Sequence, residues 1–164
     1  LLAAVLGAAA IHEAGHYAAL RLLGTCILGL RIGLLGAVLE TDSTALSYGG
    51  ELAAVLAGPV ANLLSAVVLT ALGLEMAAGA HLVLGAFNLL PVRPLDGGRA
   101  LYLAAAWLFG PAAGERAARW TGTATALGVV VCLEELMRRT GGSLWLLPAM
   151  AGFFMAAWKE IFVK

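Results

Sequence analysis

The sequence predicts an α-helical integral membrane protein with about five transmembrane helices and a small membrane-associated β-hairpin or sheet. Three observations carry that prediction. Of 164 residues, 62% are hydrophobic and 12% charged, and mean hydropathy is +0.94, whereas soluble domains average about 45–50% apolar and about 25% charged. Several apolar runs approach the length of about 20 residues that a helix needs to cross a bilayer core. Glycine is abundant, at 21 residues, which suits close helix packing in lipid. The length suits a single membrane-embedded domain, 1–164. Lys plus Arg and Asp plus Glu balance at ten each, so net charge points to no nucleic-acid or acidic partner. Cys26 and Cys132 lack CxxC spacing and read as small apolar packing residues.

The first predicted span covers 1–23. The chain opens mid-helix with LLAAVLGAAA, so residues are expected ahead of Leu1 in the full protein. Residues 26–50 read as β. Gly29, Gly33 and Gly36 interrupt CILGLRIGLLGAVLE, and TDSTALSYGG supplies turn formers. A hairpin or three-stranded sheet is expected there, with its edges covered by protein or water. The second span covers 51–74. In it Ala57, Ala61 and Ser65 form a small-residue packing stripe beside Gly58 and Pro59, and Asn62 bonds to the first helix, lines a cavity or acts as interhelical glue.

The third span, 76–90, places His81 at its outer end in a structural or interfacial role, and a turn carries the segment on to residue 98. Within 99–164, the run 99–110 is apolar but too short to cross, and spans are expected at 120–137 and 144–158. Trp107, Trp120, Trp145 and Trp158 fall near span ends as interface anchors. Glu75 and the ERAAR segment at 115–119 face headgroups or water. Arg21, Arg31, Arg93, Arg99, Arg116, Arg119, Lys159 and Lys164 fit one topology, with the ends of spans one, three and five in the cytosol. Arg138 and Arg139 break it, with Glu134 and Glu135 as local partners.

The first span contains IHEAGHYAAL. Residues at i and i+4 share a helix face, so His12 and His16 can aim two imidazoles at one point and hold Zn²⁺, while Glu13 handles the proton of a water. A charged Glu at a helix centre costs about 2.5–3.5 kcal/mol on insertion scales, which a metal site or polar cavity would explain. A polar cluster that only bonds neighbouring helices is the alternative. A catalytic zinc needs a third protein ligand and an open position. Asp96, in NLLPVRPLDGGRAL, is the candidate. Pro91 and Pro94 stop the preceding span, and Gly97 and Gly98 allow close backbone approach. Asp96 as a helix N-cap is the alternative. His16 lies five residues before Arg21, about 7–8 Å along a helix, and Asp96 lies between Arg93 and Arg99. Both therefore fall near the same, cytosolic, face.

With these motifs together the chain resembles the site-2 protease family of intramembrane zinc metalloproteases, most of all the compact type that processes a sporulation sigma-factor precursor. IHEAGHYAAL resembles the family's zinc helix, AGPVANLL its central-helix motif and NLLPVRPLDGGRAL its third-ligand segment. GLLGAVLE resembles its membrane-associated sheet without the paired glycines often found there. The resemblance implies His12, His16 and Asp96 as zinc ligands and Glu13 as catalytic base, with Asn88 positioning substrate or stabilising the oxyanion. It implies an endopeptidase that cuts in or near transmembrane segments of membrane-tethered proteins, such as a pro-sigma or anti-sigma factor. It also implies residence in a prokaryotic cell membrane with the site facing the cytosol. A divalent-metal transporter and a catalytically inactive scaffold are the alternatives. A transporter should spread its carboxylates and histidines over several helices, whereas here they concentrate in one helix and one turn.

Overall fold

The computed structural model describes residues 1–25, 27–33, 36–41, 46–142 and 146–162. The chain divides into two compact units, Leu1–Leu89 and Leu90–Lys164. The first holds α1 (Leu2–Leu22), β1 (Ile27–Gly33), β2 (Gly36–Thr41), α2 (Tyr48–Ala71) and α3 (Glu75–Asn88). The second holds α4 (Asp96–Phe109), α5 (Pro111–Arg139) and α6 (Leu147–Phe162).

In the first unit α1, α2 and α3 pack against one another through small residues. A Cβ on Gly15 of α1 would lie 2.6 Å from the Ala57 carbonyl oxygen and 2.9 Å from the Ala61 Cβ. Two members of the expected stripe thus take the first helix at close range. Gly85 of α3 does the same against Asn62 and Pro59. Without large side chains between them, the backbones approach closely and the polar groups of facing helices come within hydrogen-bonding reach. β1 and β2 form a two-stranded antiparallel sheet, pairing Leu30 with Leu39, Arg31 with Val38 and Gly33 with Gly36, with an irregularity between Ile27 and Gly29.

Helix ends are set by local chemistry. α1, α2 and α5 each finish on a left-handed glycine, Gly24 (φ 74), Gly73 (φ 72) and Gly141 (φ 75). The next residue then bonds back five positions: Thr25 to Leu20, Leu74 to Leu69, Gly142 to Met137. This is the Schellman closure, which satisfies the last carbonyls of a helix. α2 begins at Tyr48, inside the stretch expected to be β, because the Ser47 hydroxyl accepts the Gly50 N–H at 3.3 Å and caps it.

In the second unit Val92, Ala126 and Ala157 form the centre of the core, flanked by Leu90, Leu95, Phe153 and Ala156. Gly114 of α5 packs against the Tyr102 carbonyl and Ala106 of α4. α5 starts at Pro111, nine residues before the expected span. Proline at the first helical position follows Gly110 (φ 89), which separates it from α4. ERAAR is therefore helical, and the exposed Trp120 lies inside α5 rather than at its end. Cys132 is exposed on α5 rather than packed, while Cys26 and Trp145 lie outside the described residues.

Among the described residues one helix, α2, is long and apolar enough to cross a membrane, with mean hydropathy 2.1. The other expected spans correspond to α1, α3, α5 and α6. α3 has 14 residues and α6 has 16, or about 21–24 Å at 1.5 Å per residue, short of a core of about 30 Å. In α1 the residues His12, Glu13 and His16 lower the hydropathy, and α5 is charged towards both ends.

Candidate metal centre

His12 and His16 occupy successive turns of α1 on the face turned to α2. Their rings meet edge to face with centroids 4.8 Å apart and planes at 85°, and their Nε2 atoms are 3.2 Å apart. His16 Nδ1 donates to the Ala54 carbonyl oxygen at 2.9 Å. A backbone carbonyl only accepts, so the His16 proton is fixed on Nδ1 and the Nε2 lone pair is left to bind. That is the second contact found behind most metal-ligating histidines. Gly58 makes room for this ring: a Cβ there would overlap the imidazole, 2.6 Å from Cε1 and 2.8 Å from Cδ2.

His12 is 5% exposed, and Asn62 of α2 is fully buried beside it. Asn62 Nδ2 donates to His12 Nδ1 at 3.2 Å, so of the readings open for Asn62 the bond to the first helix is present. His81 Nδ1 donates to Asn62 Oδ1 at 3.0 Å, and His81 is itself 6% exposed. The expectation that His81 sits at an outer helix end, away from the site, is overturned. α3 begins at Glu75, so His81 falls in its second turn, on the face towards α2. Glu13 is half-buried on α1.

In the second unit Asp96 is the first residue of α4. Leu95 (φ −70, ψ 158), not Asp96, takes the cap position. The turn before it is held by its own packing. Val92 is 2% exposed, Leu95 N–H donates to the Val92 carbonyl at 2.8 Å, and a Cβ on Gly98 would lie 2.7 Å from the Val92 carbonyl carbon. Of the two glycines after Asp96, Gly98 is thus demanded by close backbone approach. The Arg93 guanidinium donates to Glu115 Oε2 at 3.0 Å, lies 3.7 Å from Glu160 Oε1 and covers the Tyr102 ring at 5.7 Å. It ties the turn to α4, α5 and α6. Asn88, the last residue of α3, donates from Nδ2 to the Leu84 carbonyl at 3.1 Å, and a carboxamide carries a second N–H.

His12 and His16 in the first unit and Asp96 in the second each offer a side chain of the kind that ligates a metal ion. Two imidazoles and a carboxylate suit zinc and leave a fourth tetrahedral position for water or substrate.

No family model matches the sequence, and no curated protein matches it. The fold matches a solved structure, the site-2 protease from Methanocaldococcus jannaschii, with a TM-score of 0.70 and 24% sequence identity over 98% of this chain and 77% of that one. The chain therefore has the fold of that protease.

Proposed function

We propose that this chain is an intramembrane zinc endopeptidase of the site-2 protease family, hydrolysing peptide bonds in or near the transmembrane segments of membrane-tethered proteins. The observation that carries the reading is the His12–His16 pair. It lies on one helix face with His16 Nδ1 committed to Ala54 and both Nε2 atoms turned to one another, in a chain with the fold of a site-2 protease. The apolar α2 and its exposed Leu64, Val67 and Val68 support residence in a bilayer.

His12, His16 and Asp96 would hold the zinc. Bound zinc supplies Lewis acidity, acidifying water and polarising a carbonyl. Glu13 sits beside His12 in sequence and acts as general base, taking the proton of the attacking water and passing it to the departing amine. Asn88 uses its second N–H to orient the substrate carbonyl. A helical substrate hides its peptide bonds in i→i−4 hydrogen bonds, so it must unwind before it is cut. The β1–β2 sheet offers backbone edges that hold an extended segment by strand addition. The Lys and Arg pattern, Arg138 and Arg139 excepted, supports a site that faces the cytosol of a prokaryotic cell, and the substrate class in this reading is a membrane-tethered protein such as a pro-sigma or anti-sigma factor.

The test is co-expression of the full-length protein with tagged single-span substrates. Glu13→Gln is expected to abolish cleavage, by at least the ~10²–10⁴-fold typical of a lost general base, while zinc content stays at the wild-type level. Asp96→Ala is expected to lose the metal. Cleavage by the Glu13→Gln protein would remove Glu13 from the mechanism, and unchanged zinc in Asp96→Ala would remove Asp96 from the ligand set.

A further inference from the structure

His12, Asn62 and His81, on three different helices, are joined in a row and all but sealed from solvent. The carboxamide in the middle decides where the protons lie. An amide accepts only at its oxygen and donates only at its nitrogen. Asn62 Oδ1 is 3.0 Å from His81 Nδ1, so His81 carries its proton on Nδ1. Asn62 Nδ2 is 3.2 Å from His12 Nδ1, so that nitrogen accepts and a neutral His12 carries its proton on Nε2. His12 Nε2 in turn lies 3.2 Å from His16 Nε2, which accepts because His16 Nδ1 donates to Ala54. The protons run in one direction, from His81 through Asn62, His12 and His16 to a backbone carbonyl.

In this arrangement the His12 Nε2 lone pair is occupied by a proton, while ligation through Nε2 needs it vacant. The proton then belongs on Nδ1, where it requires an acceptor. Asn62 meets that need by turning its amide end for end. Oδ1 then accepts from His12 Nδ1, Nδ2 donates to His81 Nδ1, and the His81 proton sits on Nε2. No net charge enters or leaves the buried row. His81 is suited to the far end because a neutral imidazole can face either end of an amide by exchanging tautomers. A hydrocarbon side chain or a lysine there could not.

We propose that Asn62 and His81 are positioning residues for the metal: the Asn62 amide sets the tautomer of His12, and His81 exchanges tautomers as metal binds. The inference rests on the reading of His12 as a ligand. An Asn62 that merely glued helices together would leave His81 indifferent to metal.

The sequence contains three histidines, so the full chain labelled with ¹⁵N-histidine in detergent gives a resolvable set of ring nitrogens. Titration with Zn²⁺ alone is expected to move the His81 pattern from Nδ1–H to Nε2–H. Asn62→Leu is expected to weaken zinc binding, read by chelator competition, by about 10–100-fold, the usual loss when the partner behind a ligand is removed. It also uncouples His81 from zinc. Asn62→Asp, which offers His12 an acceptor in either orientation, recovers most of the affinity. Zinc binding by the wild type with no change at His81 would overturn the proposal and leave the ligand reading intact. A wild-type chain that binds no zinc would overturn both. The wild-type titration needs no variant to fold.

Discussion

Gly58 is the position where one added carbon has the most specific consequence. Its Cβ would occupy the space of the His16 imidazole, and α2 is packed too closely on α1 to yield. Gly58→Ala is therefore expected to turn His16 away from Ala54 and lower zinc affinity by about 10–100-fold, the scale of lost support behind a ligand. Chelator competition measures it. Gly79→Ala, on α3 with nothing within 4 Å of the added carbon, is the control. It should leave zinc affinity unchanged and raise stability by up to about 1 kcal/mol through helix propensity. The pairing of His12 with His16 was legible in sequence because i, i+4 spacing fixes a helix face whatever surrounds it. The His81–Asn62 bond was not, because it depends on how far along α3 His81 lies and on which way that helix turns. Hydropathy sets neither. The local partners of Arg138 and Arg139 were legible for the same reason as the histidine pair. Glu134 and Glu135 sit four residues earlier and bond at 2.6 and 2.7 Å, exposed contacts of about 0.3–0.5 kcal/mol each.

At the scale of elements, the turn between α3 and α4 is a packed object rather than a linker. Val92 fills the core between α5 and α6, and Gly98 presses α4 onto the Val92 carbonyl. Val92→Ala removes the equivalent of two methylenes and leaves a void, so it should cost about 1–3 kcal/mol, read as a lower Tm in detergent. Gly98→Ala forces a carbon against backbone atoms that cannot rotate aside, and should cost more. The prolines and glycines of PVRPLDGG announced a fixed turn because each restricts or frees the backbone in a known way. The start of α4 at Asp96 was missed by three residues. Leu95 stands in the extended cap position without the polar side chain by which caps are recognised. The first turns of α5 were missed for a different reason: the charges of ERAAR argue against a position in lipid, but not against helix. The ends of α1, α2 and α5 lie within three residues of the expected span ends, beside left-handed glycines that have few substitutes in a Schellman closure.

At the scale of the whole molecule, membrane residence and metal binding make separate demands on stability. Apolar side chains on α2, α3 and α5, such as Val67, Val83 and Val131, are exposed in the isolated chain. That surface is stabilised only when lipid or detergent covers it, so the chain should stay with the membrane fraction after alkaline extraction, and its release would remove the bilayer reading. Metal acts by mass action on whatever state holds the ligands together. A ligand that binds only the folded chain at 100 times its dissociation constant adds about 2.7 kcal/mol. For a chain of this length each kcal/mol moves Tm by about 2–4 °C. Chelation of zinc is therefore expected to lower the Tm of the wild-type chain in detergent by about 5–10 °C, and returning zinc should restore it. His16→Ala and Asp96→Ala should melt at the same temperature with or without chelator, because the binding term is gone before chelator is added. Glu13→Gln should keep the full zinc-dependent shift, since the role proposed for Glu13, moving protons, contributes nothing to holding the ion. A wild-type Tm indifferent to zinc would remove the metal from the fold's stability. A zinc-dependent shift that survives in Asp96→Ala would place the third ligand elsewhere in the chain.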